Sequence, residues 1–277
     1  MRPAVHQLDC ETPVVNQQYN APALEQGLQI LERFGQGTER MRLSEIAREI
    51  NISRSSAFRL LHTLQARGYL ERDEETKSYR LGSRVLALGY AFLASKDVVE
   101  LARPILERLR DETGCSAHIG ILDGNEVVYV ARFPSLQPVG TNIKVGSRLP
   151  AYATTMGRML LAFRAQADVK RLYGRAKMQR FSPRTASNYD ELAAQLAQDR
   201  TRRYALSHSN FEAGIASVAA PIFGAAGVVV AAVNVSGPEG AVARQVFDST
   251  IRNAVCAAAR AISNQLGYQG IKNGSRP

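Results

Sequence analysis

Cysteine is scarce in this chain. Three thiols in 277 residues, Cys10, Cys115 and Cys256, are an odd number at unrelated spacings, which argues against both a disulfide framework and a Cys-based zinc site. Long apolar runs are missing too. No stretch free of charge and turn residues reaches the roughly 20 residues that a membrane helix needs, and the N-terminus shows no apolar core flanked by basic residues that would mark an export signal. A cytoplasmic protein with no membrane partner is expected. Catalytic signatures are also absent: there is no Gly-x-Ser-x-Gly elbow, no phosphate loop and no zincin helix. Ser217, in Gly214-x-x-Ser217, lacks a nearby His in strand-turn-helix context, so a nucleophilic serine is not indicated there. Neither catalytic residues nor a metal or cofactor are expected.

What remains is a globular composition, 45% apolar and 22% charged, on a chain long enough for two domains. The net charge of +10 invites a nucleic-acid partner, but its distribution matters more than its size. Ala21 to Ser95 holds 11 Lys/Arg against 9 Asp/Glu, or +2, whereas Lys96 to the end holds 23 against 14, or +9. The excess therefore lies outside the segment whose pattern points to DNA.

That segment is Leu43 to Leu81. Residues 1–20 show neither helical nor strand period and read as a disordered leader. Ala23 to Phe34 then sets Leu24, Leu28, Ile30, Leu31 and Phe34 near one helical face. A short helix, Ser44 to Ile50, is broken by Asn51-Ile52-Ser53, and Ser53 suits the N-cap of a second helix that Gly68 stops. Helices joined by so short a turn cross steeply, and the start of the second protrudes. In a helix-turn-helix that end enters the major groove of double-stranded DNA. Between Ile52 and Leu70 there are three Arg and no acids. Arg54 and Arg59 can bridge guanine edges or phosphates; Ser53, Ser55, Ser56 and Thr63 are small and can bond phosphate oxygens. Tyr69 to Arg72 and Ser78 to Leu81 alternate around a polar tip as a hairpin wing, with Lys77 and Arg80 as its candidate phosphate contacts.

Residues 83–96 read as a linker helix, apolar around much of its circumference. A helix from Val98 to Glu112 follows, then strands Ser116 to Leu122 and Glu126 to Arg132 around Asp123-Gly124-Asn125. Thr141 to Val145 reads as a strand and Arg158 to Arg164 as an amphipathic helix. Residues 166–185 look basic and turn-rich; Arg164, Lys170, Arg171, Arg175, Lys177, Arg180 and Arg184 in this region face only Asp168, which reads as a solvated surface. Tyr189 to Arg203 is helical, Ala205 to Asn210, Gly214 to Phe223 and Val228 to Val235 are strands, and Val242 to Leu266 is a long helix. The order predicts α+β, an antiparallel sheet covered by helices.

Two stretches carry a family resemblance. Gly146-Ser147-Arg148-Leu149-Pro150-Ala151-Tyr152-Ala153-Thr154-Thr155-Met156-Gly157-Arg158 is similar to the G-x-R-x-P-x-x-A-T-x-x-G run of the IclR family of bacterial transcriptional regulators, and Gly214 to Ile222 leading into Asn234-Val235-Ser236-Gly237-Pro238 resembles it as well. The Leu-Pro-Ala-Tyr-Ala-Thr wording resembles the subgroup that controls aromatic-acid breakdown through the β-ketoadipate pathway. The resemblance implies an N-terminal winged helix-turn-helix (21–82), the linker helix, a GAF-like effector domain (97–268) with an antiparallel sheet, and a flexible tail (269–277). It implies a homodimer or dimer of dimers on palindromic operator DNA, with RNA polymerase as a further partner, and a small organic acid as effector. The implied pocket comprises Arg148, Leu149, Thr154, Thr155, Met156, Ser207, Ile215, Ser217, Asn234 and Ser236. Arg148, His118 and His208 are the candidate partners for an effector carboxylate. Asn210 and Ala216 depart from residues common in relatives. The alternatives are a regulator responding to another carbon source such as a short keto acid, an enzyme with an accessory DNA-binding domain, and an architectural DNA-bound protein.

Overall fold

A computed structural model describes residues 20–35, 38–88, 97–135 and 143–269, which divide into two compact units, one up to Phe92 and one from Leu93. The leader 1–19, the linker beyond residue 88 and the last eight residues lie outside the described residues.

In the N-terminal unit α1 (Pro22–Gly35) precedes a short strand β1 (Met41–Arg42), α2 (Leu43–Glu49) and α3 (Arg54–Ala66). Strands β2 (Leu70–Arg72) and β3 (Ser78–Leu81) and a helical turn α4 (residues 84–88) complete it. Local chemistry fixes each boundary. Glu45 accepts the Arg42 backbone N–H at 2.6 Å to open α2, and Asn51, at φ 54°, turns the chain out of it. Ser53 caps α3 by accepting the Ser56 N–H at 3.1 Å. Gly68, at φ 75°, takes the left-handed conformation that lets the chain leave α3 and enter the wing. Ile30, Phe34, Met41, Ile46, Leu61, Leu70 and Tyr79 form the core. The third strand, β1 against β3, is too short to be visible as a period in sequence. Leu24 and Leu28, expected to pack inward, are 64% and 51% exposed.

The C-terminal unit is built on a six-stranded antiparallel sheet. Its strands are β4 (Ser116–Asp123), β5 (Glu126–Phe133), β6 (Arg148–Pro150), β7 (Ala205–His208), β8 (Ile215–Phe223) and β9 (Val229–Pro238), in the order β6-β5-β4-β9-β8-β7. The long helix α5 (Asp97–Thr113) and the final helix cover one face. The latter runs from α9 (Arg244–Val246) through a π-helical segment (Phe247–Ile251) into α10 (Arg252–Gln265). Helices α6 (Thr155–Ala162), α7 (Gln166–Tyr173) and α8 (Tyr189–Arg202) lie on the other side. Strand alternation sorts the residues: Ala117, Ile119, Val218, Ala220, Val233 and Val235 pack toward α5 and α10. His118, Ser217, Asn234 and Ser236 alternate with them and so face α6. A bulge between Ile119 and Gly120 changes the register with β5, so that Gly120 pairs with Tyr129 and His118 with Arg132 on that same face.

Three sequence expectations need correction. Residues 143–145 of the expected strand Thr141–Val145 pair with no neighbouring strand among the described residues; the strand is Arg148–Pro150, where pairing with Glu126–Val128 is available. The helix expected from Arg158 starts at Thr155, and all of its residues are buried, so it exposes no face to solvent. Residues 166–173, expected to be turn-rich, form α7, which anchors Val169 and Tyr173 in the core.

Candidate functional site

A narrow cleft of about 40 Å³ opens between the sheet and the N-terminus of α6, lined by Tyr129, Ile143, Leu149, Ala153, Thr154, Thr155, Ser207, Phe211, Glu212, Ile215, Ser217, Asn234 and Ser236. Its mix of apolar walls with a few polar groups is typical of a small-ligand site, although as it stands it is closed around little more than the space of a water molecule. The polar groups are ordered among themselves. Thr155 and Ser217 share a hydroxyl–hydroxyl bond of 2.7 Å; Asn234 donates Nδ2 to Ser217 Oγ at 3.1 Å; His118 Nδ1 lies 3.0 Å from Asn234 Oδ1. One line of hydrogen bonds thus runs from the first residue of α6 across β8 and β9 to β4. Burial raises the Tyr129 phenol well above its ordinary pKa, with the Glu212 charge adding to the effect.

The first turn of α6 is held from three directions. Thr154 accepts the Gly157 N–H at 3.1 Å as the N-cap. At Gly157 a Cβ would sit 2.1 Å from the Ala151 carbonyl oxygen, so only glycine lets the helix start press against the preceding turn. Arg158 reaches back from α6 to Asp199 on α8, Nε to Oδ2 at 2.8 Å, and donates Nη2 to the Leu206 carbonyl at 3.2 Å. Both side chains are 7% exposed, and burial raises the Asp199 pKa despite the opposing pull of Arg158. This buried pair ties the cleft's helix to β7 and α8.

Most of the expected pocket residues come together here: Leu149, Thr154, Thr155, Ser207, Ile215, Ser217, Asn234 and Ser236 all line the cleft. Arg148 does not. It sits on the edge strand β6 with its guanidinium held by Asp123 at 2.6 Å and Glu126 at 2.7 Å, so it braces the β4–β5 hairpin. Met156 is fully buried in the core beneath the cleft, its Cε about 3.0 Å from where a Gly120 Cβ would lie. His208 alternates with Ser207 to the opposite side, where Asp248 holds its Nε2 at 2.7 Å. Among the described residues no Lys or Arg lines the cleft. Sequence reasoning missed Tyr129, Ile143, Ala153, Phe211 and Glu212. The bulge conceals Tyr129, and the loop residues carry no periodic signal.

In the N-terminal unit the expected contact residues divide by their partners. Arg54 and Arg59 on α3 are exposed and in no ion pair among the described residues. The Ser53 hydroxyl lies 2.9 Å from those of Ser55 and Ser56, and Thr63 donates to the Arg59 carbonyl at 2.9 Å. The wing cations are already engaged: Lys77 with Glu74 at 3.0 Å, and Arg80 with Glu71 at 2.7 Å. Asp73 folds the wing tip by accepting the Thr76 and Glu75 N–H groups and Arg40, and these bonds, the Thr76 one foremost, bring its pKa down to about 2. The wing cations Lys77 and Arg80 are thus paired, whereas Arg54 and Arg59 of α3 are in no ion pair among the described residues.

Sequence comparison matches both units. Residues 23–74 match the IclR helix-turn-helix domain, and residues 90–264 match the bacterial transcriptional regulator IclR C-terminal domain. The chain belongs to the IclR family. Within that family it is 33% identical over 245 residues to the Pca regulon regulatory protein of Pseudomonas putida, covering 88% of this chain and 84% of that one. It is 34% identical over 216 residues to the HTH-type transcriptional regulator BhcR of Paracoccus denitrificans, covering 78% and 77%. Among solved structures, a transcriptional regulator from Rhodococcus sp. RHA1 superposes with a TM-score of 0.80 at 36% identity, covering 89% of this chain and 98% of that one. An IclR homologue from Microbacterium hydrocarbonoxydans, crystallised in complex with 4-hydroxybenzoate, gives 0.79 at 25% identity and covers 88% and 98%. The family places this chain among transcriptional regulators with a DNA-binding unit and a ligand-binding C-terminal domain.

Proposed function

We propose that this IclR regulator binds palindromic operator DNA as a dimer or dimer of dimers and changes its hold on that DNA when a small aromatic acid enters the cleft. The observation that carries the reading is the cleft's division of labour. Leu149, Ile143, Ile215 and Phe211 offer flat apolar walls, and Thr155, Ser217, Asn234 and Ser236 a polar floor. The carboxylate needs no cation here. The backbone N–H groups that open α6, at Thr155 and Met156, belong to a helix end that favours negative charge, with the Thr155 hydroxyl beside them. A carboxylate docked there touches the helix that Arg158 couples to α8 and β7. The bound 4-hydroxybenzoate of the Microbacterium homologue supports this choice of ligand class.

Self-association has its own support. Leu24, Leu28, Leu86 and Leu88 of the N-terminal unit are more than half exposed, a patch that a second copy would cover. Two copies of a unit that is itself nearly neutral would set the two recognition helices one operator half-site apart. Thermal unfolding of the full chain against benzoate, 4-hydroxybenzoate, protocatechuate and β-ketoadipate tests the ligand class. An aromatic acid should raise the melting temperature and be recovered unchanged, and Ser217→Ala should blunt the rise. No shift with any aromatic acid, or turnover of one, overturns the proposal.

A further inference from the structure

We propose that His118 is the residue that reads a hydroxyl group on the bound effector, so that the cleft selects hydroxylated ring acids over the bare acid; this rests on reading the cleft as an effector site. His118 stands on β4 with the register of Asn234 on one side and Arg132 on the other, and thus on the cleft face of the sheet. Tyr129, a cleft-lining residue, meets its ring edge-on at 5.5 Å. The imidazole is fully buried.

Its tautomer follows from its neighbours. Asn234 uses its Nδ2 to donate to Ser217, so the Oδ1 that faces His118 is an acceptor, and His118 Nδ1 must carry the proton. Nε2 is then a bare lone pair, and it is buried without a hydrogen-bond partner. A buried acceptor lacking a donor is uncommon, and each instance calls for an explanation. A donor brought by the effector would complete it. A carboxylate cannot supply one, since it only accepts at neutral pH, whereas a ring hydroxyl can. With the carboxylate at the opening of α6, the other end of a flat ring has the Tyr129 and Asn234 side of the cleft available to it; His118 is not itself part of the lining but adjoins both residues, at 5.5 Å ring to ring and at 3.0 Å, so the hydroxyl reaches Nε2 once these side chains part.

Isothermal titration of the full chain with benzoate, 3-hydroxybenzoate and 4-hydroxybenzoate tests the assignment. The wild type should prefer one hydroxy acid over benzoate by roughly 5- to 100-fold, the range of satisfying one buried acceptor. His118→Phe also removes the partner of Asn234 Oδ1 and so should weaken the binding of both acids, but it should bring their ratio close to one. An unchanged ratio in His118→Phe, which a buried water on Nε2 would give, overturns the assignment. Equal binding of all three acids by the wild type also overturns it while leaving the cleft reading intact; binding of none of them sinks both. Should His118→Phe fail to fold, ¹⁵N NMR of the wild-type imidazole decides: the Nε2 resonance should move upfield with the preferred hydroxy acid and stay in place with benzoate. No movement with the hydroxy acid refutes the role.

Discussion

Replacing Asp199 by Ala strands the Arg158 guanidinium inside the C-terminal unit. In the native chain Nε and Nη2 of Arg158 face the two Asp199 oxygens at 2.8 and 3.4 Å, and the Leu206 carbonyl takes a further bond at 3.2 Å. Once the carboxylate is gone, only the Leu206 bond remains for a charge whose side chain is 7% exposed. Breaking one side of a buried pair costs about 3–5 kcal/mol, because the surviving ion keeps its desolvation penalty. The upward shift of the Asp199 pKa, driven by burial against the pull of Arg158, shows that the site is desolvated. The pair is therefore costly to break without being a large net source of stability, and Arg158→Met combined with Asp199→Leu should recover most of the loss. Urea unfolding followed by circular dichroism measures both variants. Because Thr155 and Arg158 share the first turn of α6, Asp199→Ala should also weaken effector binding. A loss below about 1 kcal/mol for the single variant, or no recovery in the double, would refute the reasoning.

Two other outcomes follow from the same geometry. Arg59→Ala should weaken operator binding by about 1–3 kcal/mol and reduce the salt dependence by about one ion, whereas Arg80→Ala should do less, because Glu71 already holds Arg80 at 2.7 Å; fluorescence anisotropy at several salt concentrations separates the two. The burial of His118 pushes its pKa down from 6.5 to about 4. A depressed pKa contributes stability that is fully present above pH 6.5 and lost as the pH falls toward 4, about 3 kcal/mol at the acid end. His118→Gln should flatten that part of the stability–pH curve, and a slope identical to the wild type would show that the imidazole is not buried neutral.

Apart from β1, the N-terminal unit was legible in sequence because its helix boundaries have local causes. Ser53 and Gly68 announce their roles without reference to distant residues. Pocket residues on strands were legible through the family run and strand alternation, as at Ser217 and Asn234. Arg148 was misplaced because its partners, Asp123 and Glu126, lie more than twenty residues away in sequence. Tyr129 was missed because a bulge resets the period that would have pointed it inward. His208 and Ser207 are adjacent, and only the strand's alternation decides which one meets the cleft. Local chemistry reads from sequence, whereas partnership across the sheet does not.

The most direct test of the central claim is operator affinity with and without effector. The chain's own upstream DNA serves as probe in an anisotropy titration, with the acid identified by thermal shift held at saturation. The account predicts that the acid changes operator affinity by about 5- to 100-fold, and that Ser217→Ala, with its DNA affinity intact, needs more acid for the same change. Operator affinity unmoved by a saturating acid that binds the cleft would contradict it.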